Sequence, residues 1–291
     1  MFKGAFTAII TPFDKNYQVD ETKFRELIDF QIGNGINGLV PCGCTGEAAT
    51  LTHQEQKKII KIAVEAVNKR VPVIAGTGSN STEETLDLTT YAEKVGADGA
   101  LIITPYYNKP TPKGQILHYE RIAKEVNIPI ILYNVPSRTG ISLSPEVVAK
   151  LNEIDNIVAI KEASGSLKQV NKILSLCDIT VLSGDDFLSL PMLSVGAKGV
   201  ISVAANIVPE EVSTLINSYL EGDIEKAKEI HFKLYPVFEG MFIETNPICV
   251  KTAMKLMNML NGILRMPLCS MQEENEEKLK QILIDAGLMR R

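Results

Sequence analysis

Short runs of apolar and β-branched residues recur along the first three quarters of the chain, and most are bounded by Gly, Pro, Asn or Asp. Within a run nearly every position is apolar, rather than every second one. That pattern is typical of parallel strands that are buried on both faces. It predicts eight strands, at residues 5–10, 38–41, 71–75, 100–104, 128–133, 157–160, 179–182 and 199–203.

Amphipathic segments separate these strands and predict helices. Several begin with recognisable start signals, such as Ser81 followed by Glu84 at capping-box spacing and Pro145 directly after Ser144. Gly96 falls where a helix should end. The predicted helices are 21–34, 52–68, 81–95, 113–126, 144–151, 167–176 and 187–195.

Eight consecutive strand and helix units predict a (β/α)₈ TIM barrel. An open doubly wound sheet is the alternative, but it usually has fewer strands and a GxGxxG turn, which this sequence lacks. Beyond Pro209 only helical patterns remain, at 210–221, 223–238, 247–260 and 272–286. We therefore predict a catalytic barrel domain at 1–224 and a C-terminal helical domain at 225–291.

The charge balance narrows the class of partner. The chain carries 30 Lys and Arg against 35 Asp and Glu, a net charge of −5, without a long basic run. This argues against nucleic acid or an anionic membrane and favours small-molecule substrates. The N-terminal residues do not resemble a signal peptide and no long apolar segment occurs, so we expect a cytoplasmic protein. The five cysteines form no CxxC pair, and we expect neither a metal site nor a cofactor.

Lys161 is the first candidate for chemistry, because it ends the apolar run 157–160. Burial would lower the pKa of its ammonium group, and the neutral amine could then form a Schiff base with a carbonyl. The alternative is a strand-end lysine that is paired with Glu162. Tyrosines follow two other predicted strands, at Tyr107 and Tyr133, where a phenol could relay protons or simply pack.

Two loops at the same end of the predicted barrel could bind carboxylates. The loop at 43–47 is rich in glycine and contains Thr45, so its backbone N–H groups and hydroxyl could hold a small anion. Arg138 follows the strand that carries Tyr133 and could bind a second carboxylate in a bidentate manner. The alternatives are a plain tight turn for the first loop and a surface ion pair for Arg138.

These segments, in this order and spacing, resemble the pyruvate-dependent class I aldolases related to dihydrodipicolinate synthase and N-acetylneuraminate lyase. The resemblance covers essentially the whole chain. It rests on GCTGE at 43–47, IAGTG at 74–78, TPYYN at 104–108, YNVPSRTG at 133–140, IKEA at 160–163, SGDD at 183–186, GVISV at 199–203 and ETNP at 244–247.

The resemblance implies a lyase reaction, the Schiff-base condensation of pyruvate with L-aspartate 4-semialdehyde to 4-hydroxy-tetrahydrodipicolinate. This is the first committed step of diaminopimelate and lysine synthesis. Lys161 would form the imine with pyruvate, and Tyr133 would transfer protons. Tyr107, supplied by the neighbouring subunit, would connect Tyr133 to solvent. That role requires at least a dimer, and the family is commonly a homotetramer built as a dimer of dimers.

The resemblance also assigns residues to substrate binding. Thr45 would hold the carboxylate of pyruvate, and Arg138 would hold that of aspartate semialdehyde. Ile201 and Gly184 would line the pocket through backbone groups. A lysine-inhibitor site is implied at His53, Asn80, Glu84 and Tyr106. Lysine sensitivity stays open, since Gln56 and Ala48 stand where sensitive members often have histidine and serine.

Two positions depart from the family pattern. Cys44 stands where the family generally has the first of two consecutive threonines, whose hydroxyl joins the two tyrosines. A thiol is a weaker hydrogen-bond donor, so we expect the relay through Cys44 to be slower rather than abolished. Cys249 stands where proline is usual, and there we expect a local structural effect only.

Two other functions compete with the synthase reaction. A sugar-acid lyase, acting on N-acetylneuraminate or 2-keto-3-deoxygluconate, would use the same lysine, but Arg138 in its SRTG setting suits a second carboxylate better than a polyhydroxylated aldehyde. A non-catalytic pyruvate-binding paralogue would keep the pocket without an efficient relay, and only Cys44 supports it.

Overall fold

The computed structural model describes residues 2–290, and eight short parallel strands form its centre. All eight predicted strands are present, although several are shorter than predicted. The strands are β1 Gly4–Thr7, β2 Gly38–Leu39, β3 Ile74–Gly76, β4 Gly99–Ile103, β5 Ile130–Asn134, β6 Ile157–Glu162, β7 Thr180–Ser183 and β8 Gly199–Ser202.

The strands pair in the order β2-β1-β8-β7-β6-β5-β4-β3, so that β1 lies between β2 and β8. The remaining gap, between β2 and β3, is bridged where Leu39 pairs in parallel with Val73 and its N–H donates to the carbonyl of Pro72 at 3.0 Å. The sheet therefore closes into a barrel. The predicted (β/α)₈ TIM barrel is confirmed, and the doubly wound alternative is wrong.

Helices follow the strands around the outside of the barrel. The predicted start signals operate: the Ser81 hydroxyl accepts from the Glu84 N–H, and the Ser144 hydroxyl accepts from the Val147 N–H. The helices are α1 Glu21–Gly33, α2 His53–Val67, α3 Thr82–Val95, α4 Pro112–Glu125, α5 Pro136–Thr139, α6 Pro145–Leu151, α7 Leu167–Leu176, α8 Ser189–Ser194, α9 Pro209–Glu221, α10 Ile224–Gly240, α11 Ile248–Leu256 and α12 Glu273–Asp285.

Three helical segments differ from the sequence prediction. The segment predicted as one helix at 187–195 begins as a 3₁₀ turn, Asp186–Leu188, and continues as α8. The predicted helix at 247–260 ends at Leu256, and Asn258 soon afterwards adopts a left-handed backbone with φ 58°. The predicted loop around Arg138 contains the one-turn helix α5, because Pro136 is preorganised for a first helical position.

The C-terminal helices share a hydrophobic core with the barrel wall. Phe238 of α10 and Leu279 of α12 belong to the same buried cluster as Ile9, Phe24 and Ile59. A separate cluster fills the barrel interior, with Tyr133 among its members. The division at 224/225 stays a prediction. Within residues 2–290, every helix is too short or too polar to span a membrane.

Candidate active site

Lys161 and Tyr133 lie side by side at the carboxyl ends of β6 and β5. They are direct partners in the register of the two strands, and both side chains are buried. Successive side chains alternate between the two faces of a strand, so Lys161 shares the inward face with Ala159, which is part of the barrel interior. The Lys161 Nζ lies 4.5 Å from the centroid of the Tyr133 ring. The predicted nucleophile and the predicted proton-transfer group are therefore in contact.

Burial sets the electrostatics of this pair. Desolvation lowers the pKa of Lys161 below its ordinary value, while the nearby carboxylates of Asp185 and Asp186 oppose that change. Burial also raises the pKa of Asp185 to about 6 and the pKa of Tyr133 above its ordinary value. At neutral pH the phenol keeps its proton, and the lysine is closer to its neutral form than a surface lysine would be.

Glu162 is turned away from this pair and has other partners. Its carboxylate accepts from the Asn134 Nδ2 at 3.0 Å and from the Ser164 N–H at 2.8 Å, and Gln169 adds a longer contact. Because Asn134 follows Tyr133 on β5, these bonds fasten the ends of the two strands together. The Glu162 carboxylate therefore accepts hydrogen bonds from neutral donors, and it does not pair with Lys161.

Gly184 gives Lys161 its room. A Cβ atom at this position would lie 2.5 Å from the Ala163 Cβ and 3.1 Å from the Lys161 Cε. The Gly184 N–H donates to the carbonyl of Glu162 at 2.8 Å, which holds the turn after β7 against β6. Only glycine allows this close approach. Ile201 lies in β8, fully buried in the same barrel interior as Tyr133.

The loop after β2 approaches the phenol from the other side. Tyr133 donates a hydrogen bond from its hydroxyl to the Cys44 Sγ at 3.8 Å. The backbone N–H groups of Cys44 and Thr45 donate to no acceptor within residues 2–290. The Thr45 hydroxyl accepts from the Asn246 Nδ2 at 2.9 Å. Since a hydroxyl has one proton and two lone pairs, the proton of Thr45 remains available to a further acceptor.

Asn246 joins the two predicted carboxylate-binding residues. Its side chain donates to Thr45, and its backbone carbonyl accepts from the Arg138 Nη2 at 3.0 Å. Arg138 is thus held by this carbonyl, and no carboxylate within residues 2–290 forms an ion pair with it. We assigned no role to Asn246 from the sequence, although the ETNP segment that contains it was among the resembling motifs. Only the approach of two segments that are 201 residues apart reveals its contact with Thr45.

A cavity of about 540 Å³ opens above this group of residues. Cys44, Tyr133 and Arg138 line it, whereas Lys161, Thr45, Ile201 and Gly184 are not part of its wall. Tyr107 does not join the site within the chain. This residue is 88% exposed and has a left-handed backbone with φ 68°.

The predicted inhibitor residues border the same cavity, with one exception. His53, Glu84 and Tyr106 line it, and the His53 Nε2 lies 3.7 Å from the Glu84 Oε2. Glu84 also accepts from the Ser79 hydroxyl at 2.6 Å. Asn80 is not in the wall, and its carbonyl accepts from the Asn108 Nδ2 at 2.8 Å. The cavity therefore connects the predicted catalytic and inhibitor regions.

The second unusual cysteine, Cys249, is buried in the hydrophobic core, and its sulfur forms hydrogen bonds with Glu244 alone among residues 2–290. The Cys249 Sγ accepts from the Glu244 N–H at 3.1 Å and lies 3.4 Å from the Glu244 carbonyl. These contacts close the turn that precedes α11. Residues 2–290 contain no group of three or more His, Cys, Asp or Glu arranged to hold a metal ion.

Comparison with known proteins identifies the family. The model of the dihydrodipicolinate synthetase family matches residues 1–286. This chain belongs to that family. It is 55% identical to the 4-hydroxy-tetrahydrodipicolinate synthase of Nitratidesulfovibrio vulgaris, with 99% of each chain covered.

Solved structures of dihydrodipicolinate synthases share the fold. The enzyme from Aquifex aeolicus is 47% identical, with a TM-score of 0.97 and all of both chains covered. The chloride-inhibited enzyme from Acinetobacter baumannii, solved in complex with pyruvate, is 41% identical and has a TM-score of 0.97. The alignment covers 99% of this chain and 100% of that chain. The family predicted from the sequence motifs is confirmed, and so is the class of enzyme, a lyase of this family.

Proposed function

We propose that this chain condenses pyruvate with L-aspartate 4-semialdehyde to form 4-hydroxy-tetrahydrodipicolinate. The observation that carries the proposal is the buried Lys161 amine in contact with the Tyr133 ring, beside a loop with unpaired N–H donors. The 55% identity to a curated synthase over the full chain supports the same reaction.

The chemistry begins with the neutral Lys161 amine. It attacks the ketone carbon of pyruvate, and loss of one water together with uptake of one proton leaves a protonated imine. This electron sink acidifies the neighbouring methyl group, so that loss of a proton gives an enamine. Tyr133 lies where it can donate and accept the protons of these steps, with Cys44 as its hydrogen-bond partner.

The second substrate then adds to the enamine. The enamine carbon attacks the aldehyde carbon of aspartate semialdehyde and forms the new carbon–carbon bond. The amino group of that substrate next attacks the imine carbon, which closes a six-membered ring and releases the Lys161 amine. No external oxidant or reductant is needed, because water is the only molecule lost.

We assign the carboxylates of the two substrates to the two residues that Asn246 contacts, Thr45 and Arg138. The Thr45 hydroxyl proton, left free by the bond from Asn246, and the N–H groups of Cys44 and Thr45 would hold the carboxylate of pyruvate. Arg138, oriented by the Asn246 carbonyl, would hold the carboxylate of aspartate semialdehyde. Ile201 and Gly184 would complete the pyruvate pocket through their backbone groups.

We further propose that Tyr107 acts across a subunit interface in a homotetramer, and that the chain works in the cytoplasm. The exposed ring of Tyr107 supports the first proposal, since a large aromatic side chain in solvent gains by burial against a partner. Mixing inactive Tyr107→Phe and Lys161→Ala chains tests it. Recovered activity in the hybrid is expected if sites are shared, and a hybrid as inactive as its parents would contradict sharing.

Lysine binding at His53, Asn80, Glu84 and Tyr106 is a separate proposal. Glu84 lines the cavity and could pair with a ligand ammonium group. Lysine titrated against turnover should inhibit at millimolar concentration, and Glu84→Gln should weaken that inhibition. Unchanged turnover over this range would refute the site.

Borohydride reduction with pyruvate, followed by peptide mass spectrometry, tests the main proposal. We expect a reduced adduct on Lys161 and turnover with aspartate semialdehyde, with Lys161→Ala as the control that gives neither. An adduct with turnover only on N-acetylneuraminate or 2-keto-3-deoxygluconate would establish the sugar-acid lyase instead. A folded protein without an adduct in excess pyruvate would point to the non-catalytic paralogue.

A further inference from the structure

A fully buried ion pair lies directly behind the carboxylate-binding loop. Glu47 is the last residue of the loop at 43–47, and Lys251 lies in α11, 204 residues further along the chain. Both side chains have no exposed surface, and the Lys251 Nζ donates to the Glu47 Oε1. No sequence pattern connects the two residues, so only the fold brings them together.

Every polar atom of the pair has a partner. The Lys251 Nζ also donates to the carbonyl of Ile263 at 2.9 Å and lies 4.2 Å from the centroid of the Phe13 ring. The Glu47 Oε2 accepts from the backbone N–H of Arg265 at 3.1 Å. Lys251 and the backbone of Arg265, both in the C-terminal part of the chain, therefore fix the position of the Glu47 carboxylate from two sides.

Because the Glu47 side chain is fixed, the backbone of the loop that precedes it is fixed as well. Glu47 adopts a left-handed conformation with φ 54°, and its N–H donates to the carbonyl of Cys44 at 3.1 Å. The residue before it is held as well, because the Thr11 hydroxyl donates to the carbonyl of Gly46 at 2.7 Å. A left-handed non-glycine residue costs free energy and persists only where its surroundings determine it. Here the side-chain contacts of Glu47 supply that determination.

A second tether acts just beyond the loop. The Arg265 guanidinium donates to the carbonyl of Thr50 at 3.1 Å and forms an ion pair with Glu55 in α2 at 2.6 Å. Arg265 thus fixes Glu47 through its backbone and the following turn through its side chain. The segment from the loop to α2 is held along its length by one stretch of the C-terminal region.

Stability alone is a weak explanation for such a pair. Removing two charges from water costs much of the free energy that their attraction provides, and apolar residues of similar volume are often as stabilising. What the pair adds is direction, since the contacts of the Lys251 ammonium and of both Glu47 oxygens restrict the pair to one geometry. We propose that Glu47 and Lys251 are positioning residues that orient the N–H groups of Cys44 and Thr45 toward the carboxylate of pyruvate. This inference rests on the proposed function.

The double variant Glu47→Gln/Lys251→Met tests the proposal, because it removes both charges and leaves neither unpaired. The measurement is the pyruvate concentration that gives half-maximal borohydride trapping on Lys161, together with the amount trapped at saturation. A misaligned carboxylate site weakens the binding of pyruvate both before and after the imine forms. We therefore expect the half-saturating pyruvate concentration to rise at least about tenfold. The amount trapped at saturation should stay unchanged.

A merely structural role gives the opposite pattern. Partial unfolding would lower the amount trapped at saturation and leave the half-saturating concentration of the folded fraction as it was. A half-saturating concentration within about twofold of the unaltered chain would therefore overturn the proposal. If the unaltered chain traps no pyruvate at all, the proposed function fails instead, and the two failures are distinguished.

Two further variants complete the design. Lys255→Met is the matched control, because Lys255 lies on the same helix and pairs with Glu276 at 3.4 Å, but its side chain is half exposed. It should leave both readouts unchanged. Glu47→Asp keeps the negative charge but shortens the side chain by one methylene group. This variant replaces the double variant in the test if the double variant does not fold. It should also raise the half-saturating concentration, and an unchanged value would count against the inference.

Discussion

Lys161 and Tyr133 stand on neighbouring strands, whereas Cys44 and Thr45 lie on a loop that faces them. The strand residues are placed by the backbone ladder between β5 and β6, in which they are direct partners. The loop residues are placed by side chains that reach across from the C-terminal region, above all Asn246. One half of the site thus depends on local strand pairing and the other half on contacts between distant segments.

This difference teaches where each half is sensitive. In the strand half, the reacting groups themselves cannot be changed without loss of function. Their positions are insensitive to single substitutions, because many backbone hydrogen bonds hold the two strands together. The loop half carries no nucleophile, yet its orientation depends on a few buried side-chain bonds. We therefore expect changes to Lys161 or Tyr133 to lower turnover and changes that misalign the loop N–H groups to weaken substrate binding. The Cys44 side chain is the exception in the loop, because it contacts the Tyr133 hydroxyl and should affect turnover.

The largest effect should follow from the strand half through Lys161→Ala. Loss of the amine removes the covalent step, so we expect turnover to fall by at least about 10³-fold and the borohydride adduct to disappear. Steady-state kinetics and mass spectrometry measure these results. Because the neighbouring strands keep their pairing, the thermal unfolding midpoint should not fall. Substantial remaining turnover would show that another residue is the nucleophile.

Tyr133→Phe should have the next largest effect. The ring still packs against Lys161, but the hydroxyl that contacts Cys44 is lost. We expect kcat to fall by about 10²–10³-fold, as is usual when a general acid–base group is removed, with little change in KM for pyruvate. A fall in kcat of less than tenfold would mean that a different group transfers the protons.

Cys44→Thr sharpens the comparison from the loop side. The phenol contacts the thiol at 3.8 Å, and a hydroxyl would make a shorter and stronger hydrogen bond. We expect kcat to rise by about tenfold, with Cys44→Ala as the control that lowers it. Turnover that stays level in the threonine variant would refute the idea that the thiol limits the relay.

The smallest effect concerns pH. The Asp185 carboxylate raises the pKa of Lys161 against the lowering caused by burial. Asp185→Asn removes one of the charges that favour the ammonium form, so the pKa of Lys161 should fall and the neutral amine should appear at lower pH. We expect the rising limb of the trapping rate against pH to move to lower pH. A move to higher pH would contradict this assignment of charges.

Much of the fold and part of the site followed from local sequence. Continuous apolar runs mark strands that are buried on both faces, so all eight strands were predicted, and caps such as Ser81 located the helix starts. Lys161 was a candidate because a lysine that ends such a run must lie at the mouth of the barrel. The helix α5 was missed because one turn has no measurable period, and Asn246 was missed because its partners are remote in the chain.

The sequence by itself determined the barrel, the strand-end positions of Lys161 and Tyr133, and, through the quoted motifs, the family. These depend on periodicity and on residues that are close in the chain, where the backbone leaves few alternatives. Only the tertiary structure decided that Asn246 joins Thr45 to Arg138 and that Lys251 is buried against Glu47. Such contacts join segments between 108 and 204 residues apart. They form because folding buries those side chains together, where each buried polar group requires a partner.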